Sequence, residues 1–109
     1  MGMVIERFNV VLVRLDPVIG AETAKSRPFV IVSPDEMNRA LATVIIAPMT
    51  TVQRGWPTRV EIEFQSKTGE IALDQIRAVD KSRLLKRLGK LNATTADAVL
   101  DALGEMFAP

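Results

Sequence analysis

The chain has no cysteine and no histidine among its 109 residues. Without cysteine there is no disulfide framework and no thiolate metal site. Without histidine, the usual general acid–base side chain and the commonest metal ligand are both missing. Any hydrolytic chemistry must therefore run on arginine, on threonine or serine hydroxyls, on carboxylates or on backbone donors. No apolar run approaches the roughly 18 residues that a membrane span requires, and no signal-peptide pattern opens the sequence. A soluble, cytoplasmic protein is the expectation. An excess of either charge is missing as well. Fourteen Lys and Arg against 13 Asp and Glu leave a net charge of +1, so the chain is not globally basic.

Apolar residues make up 48% of the chain, which supports a core and excludes a disordered polymer. Residues 1–109 read as one domain, and a chain of this length buries roughly 60–70% of its unfolded surface. The apolar excess predicts a self-association interface. Charge is unevenly placed. Arg77, Lys81, Arg83, Lys86, Arg87 and Lys90 stand against Asp80 alone in one short stretch, a solvated face that also has the sign to attract phosphate.

Apolar, β-branched runs alternate with turn chemistry along most of the sequence. Phe8 to Leu15 reads as a strand closed by Asp16-Pro17, and Pro28 to Ser33 as a second strand stopped by Pro34. Asp35 to Leu41 reads as an exposed turn or short helical piece. Thr43 to Ala47 is apolar on both faces and so predicts a central strand, whereas Thr58 to Phe64 alternates as a half-buried one does. Gln65 to Gly69 is turn-like, Glu70 to Val79 continues the sheet, Asp80 suits the cap of a short turn, and Arg87 to Leu91 is a last short strand. Closely spaced strands with no helices between them predict a small, strongly bent barrel. The period then changes. Thr94-Thr-Ala-Asp97 opens like a capping box, and Ala96, Val99, Leu100, Leu103 and Phe107 fall on one helical stripe that packs against the barrel.

Gly20 to Pro28 is the stretch around which function is expected to gather. It sets Glu22 and Arg27 five residues apart on a loop that runs into the second strand. Pro28 pushes Arg27 toward extended geometry, and loops on a rigid scaffold are where binding and catalytic groups collect. Solvated surface charges would fit the same pattern. Thr50-Thr51 fits a β-turn with local hydroxyl bonds or a site hydroxyl. Trp56, in Gln53-Arg-Gly-Trp-Pro57, fits a stacking platform for an unpaired base or a cover over the core or a dimer contact. Lys25, Arg54 and Arg59 either grip a nucleic-acid backbone or keep the surface soluble.

Taken in order, Leu15-Asp-Pro17, Gly20-Ala-Glu22, Arg27-Pro28, Val32-Ser33, Asn38, Ala47-Pro-Met-Thr50, Pro57-Thr-Arg-Val-Glu61 and Leu73-Asp-Gln-Ile-Arg-Ala-Val-Asp-Lys-Ser-Arg-Leu84 resemble the MazF/PemK (Kid-like) toxins of bacterial toxin–antitoxin pairs. The resemblance covers most of the chain. It implies a mainly β fold with a C-terminal helix, a small SH3-like β-barrel of the MazF/PemK/CcdB type, working as a homodimer. It further implies a sequence-selective endoribonuclease that cuts single-stranded RNA, chiefly mRNA, with no metal or other cofactor. The implied partner is a cognate antitoxin that lays an acidic, otherwise disordered tail across the RNA groove.

Arg27 and Thr50 match the family's catalytic arginine and threonine, and Glu22 matches a carboxylate of the same loop. Lys25, Thr51, Gln53, Arg54, Trp56, Asp74 and Gln75 are the RNA-binding candidates. The sequence departs from the Kid branch, whose site includes a histidine and an arginine two residues before the Asp-Gln pair. Ala72 stands there, which leaves Asp74 equally readable as a structural hydrogen-bond acceptor. Phe8-Asn9 replaces the usual Gly-Asp at the first strand. The rival readings are a CcdB-type toxin that poisons gyrase by binding, and an inactive barrel that only binds nucleic acid or an acidic tail. The chain ends Met106-Phe-Ala-Pro109 and lacks the Trp-Gly-Ile ending of the gyrase poisons.

Overall fold

The computed structural model describes residues 3–15 and 26–109. Seven strands are found there: β1 (Asn9–Arg14), β2 (Ser26–Ile31), β3 (Thr43–Thr50), β4 (Arg59–Phe64), β5 (Lys67–Ala72), β6 (Arg77–Asp80) and β7 (Leu84–Lys90). Short helix α1 (Asp35–Ala40) separates β2 from β3, and α2 (Ala93–Met106) follows β7. All pairings are antiparallel, in the order β4-β5-β3-β2-β1-β7, with β6 also on β3. The expected bent β architecture with a C-terminal helix is what the chain forms.

β3 is long enough to be shared. Its first half pairs with β6 and its last two residues with β5, while β2 runs along it from Phe29 to Ile31. Such a strand must be apolar on both faces, which is why Thr43 to Ala47 shows no alternation. Val10, Val30, Ala47 and Met49 face a core that is covered by β4, β5 and α2. Val11, Val13, Phe29, Ile31, Val44 and Ile46 form a second core on the other face. Each fully buried Val or Ile contributes about 1.5–3 kcal/mol. β4 needs only one apolar face, so Glu61 and Glu63 point outward between Val60, Ile62 and Phe64.

Five expectations change. β2 begins at Ser26, two residues before the expected start at Pro28, so Arg27 belongs to the strand and not to the loop before it. Pro28 is tolerated because pairing with β3 is recorded only from Phe29 onward. Thr50 is the last residue of β3 and lies on the strand, not beyond it. The β4–β5 turn is only Gln65-Ser66, both with positive φ (52° and 65°), and Gly69 lies inside β5. The run from Glu70 to Val79 is broken by a 3-10 turn at Leu73–Gln75.

The helix also opens earlier than the Thr94 box suggests. Asn92 is the cap, its Oδ1 accepting from the Thr95 backbone N–H at 2.8 Å. Asn is among the strongest caps because its short amide oxygen reaches that otherwise unpaired donor. Along α2, Ala96, Val99, Leu103 and Met106 meet the core, while Leu100 is 38% and Phe107 72% exposed. At 100° per residue, Leu100 lies a quarter-turn beyond an arc centred on Val99, and Phe107 falls after the last turn.

Two polar devices fix the scaffold. Ser33 donates its hydroxyl to Asn38 Oδ1, Asn38 Nδ2 donates to the Ser33 carbonyl at 2.9 Å, and Ile45 N–H donates to Ser33 Oγ at 3.0 Å. That buried network pins α1 to the start of β3. At the first strand, Asn9 is buried with its Oδ1 accepting from Glu6 N–H at 2.8 Å. Phe8, standing where the resemblance implies glycine, adopts φ 71°. Its N–H donates to Ile31 and its carbonyl accepts from Leu91, which hold this uncommon conformation in place. Asp80 caps the turn at Lys81–Arg83, accepting from Ser82 N–H at 2.8 Å.

Candidate active-site groove

Phe29 lies across from Pro48, so Arg27, two residues before it in β2, and Thr50, two residues after Pro48 in β3, sit toward the same end of adjoining strands. Both line an open groove of about 450 Å³, together with Met49, Thr51, Ile62, Phe64 and Lys67. Its floor is apolar and its rim carries cations and hydroxyls. Arg27 is exposed, paired through its backbone with Val13 of β1. Its guanidinium is therefore carried on a strand and not on a mobile tip.

Thr50 is placed from two sides. It pairs with Glu70 in β5, and its Oγ1 accepts from the Val52 N–H at 3.1 Å. The local hydroxyl–backbone turn foreseen as one alternative is thus present. It uses a lone pair on Thr50 and leaves the hydroxyl proton available to donate. Gly69 makes the geometry possible, because a Cβ there would lie 2.2 Å from the Thr50 carbonyl oxygen. Only glycine permits β5 to come this close to the end of β3.

The loop that follows Thr50 carries Thr51, Gln53, Arg54 and Trp56, all exposed. It is tied down by a residue that motif reading passed over. Glu70 is 4% exposed, and its two oxygens accept from the backbone N–H groups of Arg54 and Gly55, each at 2.9 Å. Gly55 has φ 69°, the left-handed geometry that lets successive N–H groups converge on one anion. The available signal was a carboxylate opening the apolar run Glu70-Ile-Ala-Leu73, in register with the buried side of a strand.

Arg59 is neither a backbone grip nor a surface solubiliser. Its side chain is 5% exposed. Nε donates to Asp74 Oδ1 at 2.7 Å, Nη2 to Asp74 Oδ2 at 3.3 Å and Nη1 to Glu70 Oε1 at 3.3 Å. Thr58 Oγ1 adds a donor to Asp74 at 3.0 Å. Asp74 therefore fills the structural-acceptor role that the sequence left open. The Arg59 hydrogen bond holds the Asp74 carboxyl below its usual range and, reciprocally, raises the guanidinium. Glu70 is held low chiefly by the Arg54 N–H, then by Gly55 and Arg59, against the opposing effect of burial. Trp56 lies over this cluster with Arg59 Cζ 4.7 Å and Arg54 Cζ 5.7 Å from its ring centroid. Gln53 Nε2 donates to Glu61 at 3.2 Å, and Gln75 is exposed as the last residue of the 3-10 turn. Of the cations from Arg77 to Lys90, Arg77, Lys86, Arg87 and Lys90 are exposed, whereas Lys81 and Arg83 are half-buried. Glu22 and Lys25 lie outside the described residues.

A bent sheet closed by one C-terminal helix, presenting a guanidinium and a hydroxyl on neighbouring strands above an open floor, defines a small β-barrel protein suited to an anionic, extended ligand. Known proteins narrow the class. A family model described as the PemK-like, MazF-like toxin of type II toxin–antitoxin systems matches residues 6–107. Endoribonuclease EndoA of Bacillus subtilis (strain 168) is 35% identical over 107 residues, 93% of this chain and 92% of that protein. A solved endoribonuclease in complex with its cognate antitoxin, from a mycobacterial species, is 27% identical with a TM-score of 0.80, covering 97% of this chain and 98% of that one. A MazE–MazF structure from Deinococcus radiodurans (Form-II) is 24% identical with a TM-score of 0.80 over 95% and 96% of the two chains, a likeness in fold. The chain belongs to the PemK-like, MazF-like toxins of type II toxin–antitoxin systems.

Proposed function

We propose that this toxin is a sequence-selective endoribonuclease that cuts single-stranded RNA, chiefly mRNA, and so arrests translation and growth. The observation that carries the reading is that Arg27 of β2 and Thr50 of β3 line one open groove. The similarity to an endoribonuclease over nearly the whole chain supports it.

In the proposed reaction the RNA 2′-hydroxyl loses its proton and its oxygen bonds to the adjacent phosphorus. The P–O5′ bond then breaks, and O5′ takes up a proton. The products are a 2′,3′-cyclic phosphate and a 5′-hydroxyl. The nucleophile comes from the substrate itself, so the scheme needs no metal or cofactor. Negative charge grows on the non-bridging oxygens along the way. A planar, permanently charged guanidinium matches those oxygens bidentately, which is the role assigned to Arg27. With a pKa above about 12 it is a poor proton acceptor. Thr50 donates its free hydroxyl proton to a phosphate oxygen or orients the 2′-hydroxyl. Glu22 orients Arg27 or acts as base.

Lys25, Thr51, Gln53, Arg54, Trp56, Asp74 and Gln75 remain the proposed RNA-binding set, with Asp74 acting through Arg59. The partner is proposed to be a cognate antitoxin whose acidic tail lies across the same groove, and the active form a cytoplasmic homodimer. Exposed Leu85, Leu100 and Phe107 supply apolar surface that a second copy can cover. Synthetic RNA incubated with the purified protein in EDTA tests the reading. Fragments with cyclic phosphate and 5′-hydroxyl ends are expected. Intact RNA together with trapped gyrase would replace the reading with a gyrase poison.

A further inference from the structure

We infer that Glu70 is a positioning residue for RNA: it clamps the 51–58 loop so that Trp56 stands as a preformed stacking platform on the loop that follows Thr50. This rests on the ribonuclease reading for its ligand, but not for its geometry.

Three observations converge on it. Both oxygens of Glu70 are used on the loop backbone, at Arg54 and Gly55, and one of them also accepts from Arg59. Glu70 is itself fixed, because β5 pairs it with Thr50. Arg59, held by Glu70 and by the two oxygens of Asp74, lies against the Trp56 ring at 4.7 Å. One carboxylate thus connects the strand that presents Thr50 to the indole that follows it six residues later.

A separate observation concerns the state of Trp56. It remains 49% exposed although Arg59 lies against its ring. An indole whose only task was to cover the ion pairs would bury more of itself. Stacking of a base on an aromatic ring is worth about 1–3 kcal/mol and tolerates any base. That energy is retained in full only when the ring is already held, since ordering a loop on binding consumes it. The chemistry recognised is therefore the face of an unpaired base in single-stranded RNA.

The loop sequence agrees with a clamped design. Gly55 supplies the left-handed turn, Pro57 stiffens the exit, and Thr58 ties the far end to Asp74. Nothing in this arrangement touches the reacting atoms, so Glu70 acts on binding and not on bond-making.

Glu70→Gln is the first test, because the amide keeps the shape and loses one acceptor. Acrylamide quenching of Trp56, the single tryptophan of the chain, is expected to rise about twofold. KM for a cleavable oligoribonucleotide is expected to rise about tenfold, consistent with the loss of one stacking contact, with kcat within about twofold of the parent. Trp56→Ala should raise KM similarly, and the double variant should be no worse than Trp56→Ala alone, since both lesions remove one platform. Additive losses would overturn the inference, as would unchanged quenching in a folded Glu70→Gln protein. If that variant does not fold, Arg59→Lys, which keeps the charge but not the fork, carries the same quenching and KM expectations. A parent protein that cuts no RNA would refute the ribonuclease reading, while the quenching comparison would still decide the clamp.

Discussion

Arg59 donates from Nε to Asp74 Oδ1 at 2.7 Å while its Cζ sits 4.7 Å from the centre of the Trp56 ring. The charge of one residue and the emission of the other are therefore linked. Glu70 and Asp74, the carboxylates that hold Arg59, both have lowered pKa values.

We predict from this an acid transition with a defined sign. A carboxylate depressed on folding contributes stability that is fully present above its unfolded value, about 4. That contribution is lost as pH falls through the lower folded value. Trp56 fluorescence should thus be flat between about pH 5 and 7, where no histidine exists to titrate, and should change below about pH 4. A transition centred near pH 6 would contradict the assignment.

Arg27→Ala should lower kcat by about 10²–10³, the usual cost of removing one transition-state donor, without changing the far-ultraviolet spectrum. Arg27 is exposed and its strand pairing is through the backbone. Thr50→Val should cost less than Arg27→Ala, and Thr50→Ser should stay within about threefold of the parent because it keeps the hydroxyl. Steady-state cleavage rates on one oligoribonucleotide check the order. Full activity in Arg27→Ala would remove the proposed mechanism.

Ser66→Gly should stabilise the fold. Gln65 and Ser66 both hold positive φ in a two-residue hairpin turn, where Asn-Gly is the preferred pair. A non-glycine residue in that region costs about 1–2 kcal/mol, and glycine's greater freedom in the unfolded chain offsets part of it. A net gain of about 0.5–1 kcal/mol in urea unfolding is expected. A loss would mean that Ser66 contributes something its backbone angles do not disclose.

Asn92→Ala should destabilise by about 1 kcal/mol by leaving the Thr95 N–H without its capping acceptor. Thr94→Ala should be close to neutral, since the cap lies two residues earlier. Thermal unfolding of the two variants separates these sites directly.

The fold was legible where one physical signal acted alone. Val44, Ile45 and Ile46, apolar without interruption, announce a central strand, and the alternation from Thr58 to Phe64 announces a strand with one face buried. Reading failed where tertiary geometry overrode local chemistry. Gly69 looked like a turn glycine, yet it serves a contact with Thr50 that no sequence distance reveals. Leu100 and Phe107 matched the helical stripe, but the arc that meets the sheet is narrower than the stripe. At the site, Arg27 and Thr50 were visible through the family's motifs. Glu70 was not, because its partners are backbone N–H groups, which every residue but proline carries and no motif records.

The contact between Gly69 and Thr50 has a consequence for how the toxin is lost. One added methyl group at position 69 would meet a backbone oxygen that cannot step aside, parting two strands at the point where Thr50 is held. Bacteria that survive forced overproduction of this protein should therefore include alanine or serine replacements at a residue with no side chain to offer RNA. In such survivors the toxin is disarmed by crowding, with every group proposed to meet RNA left unchanged.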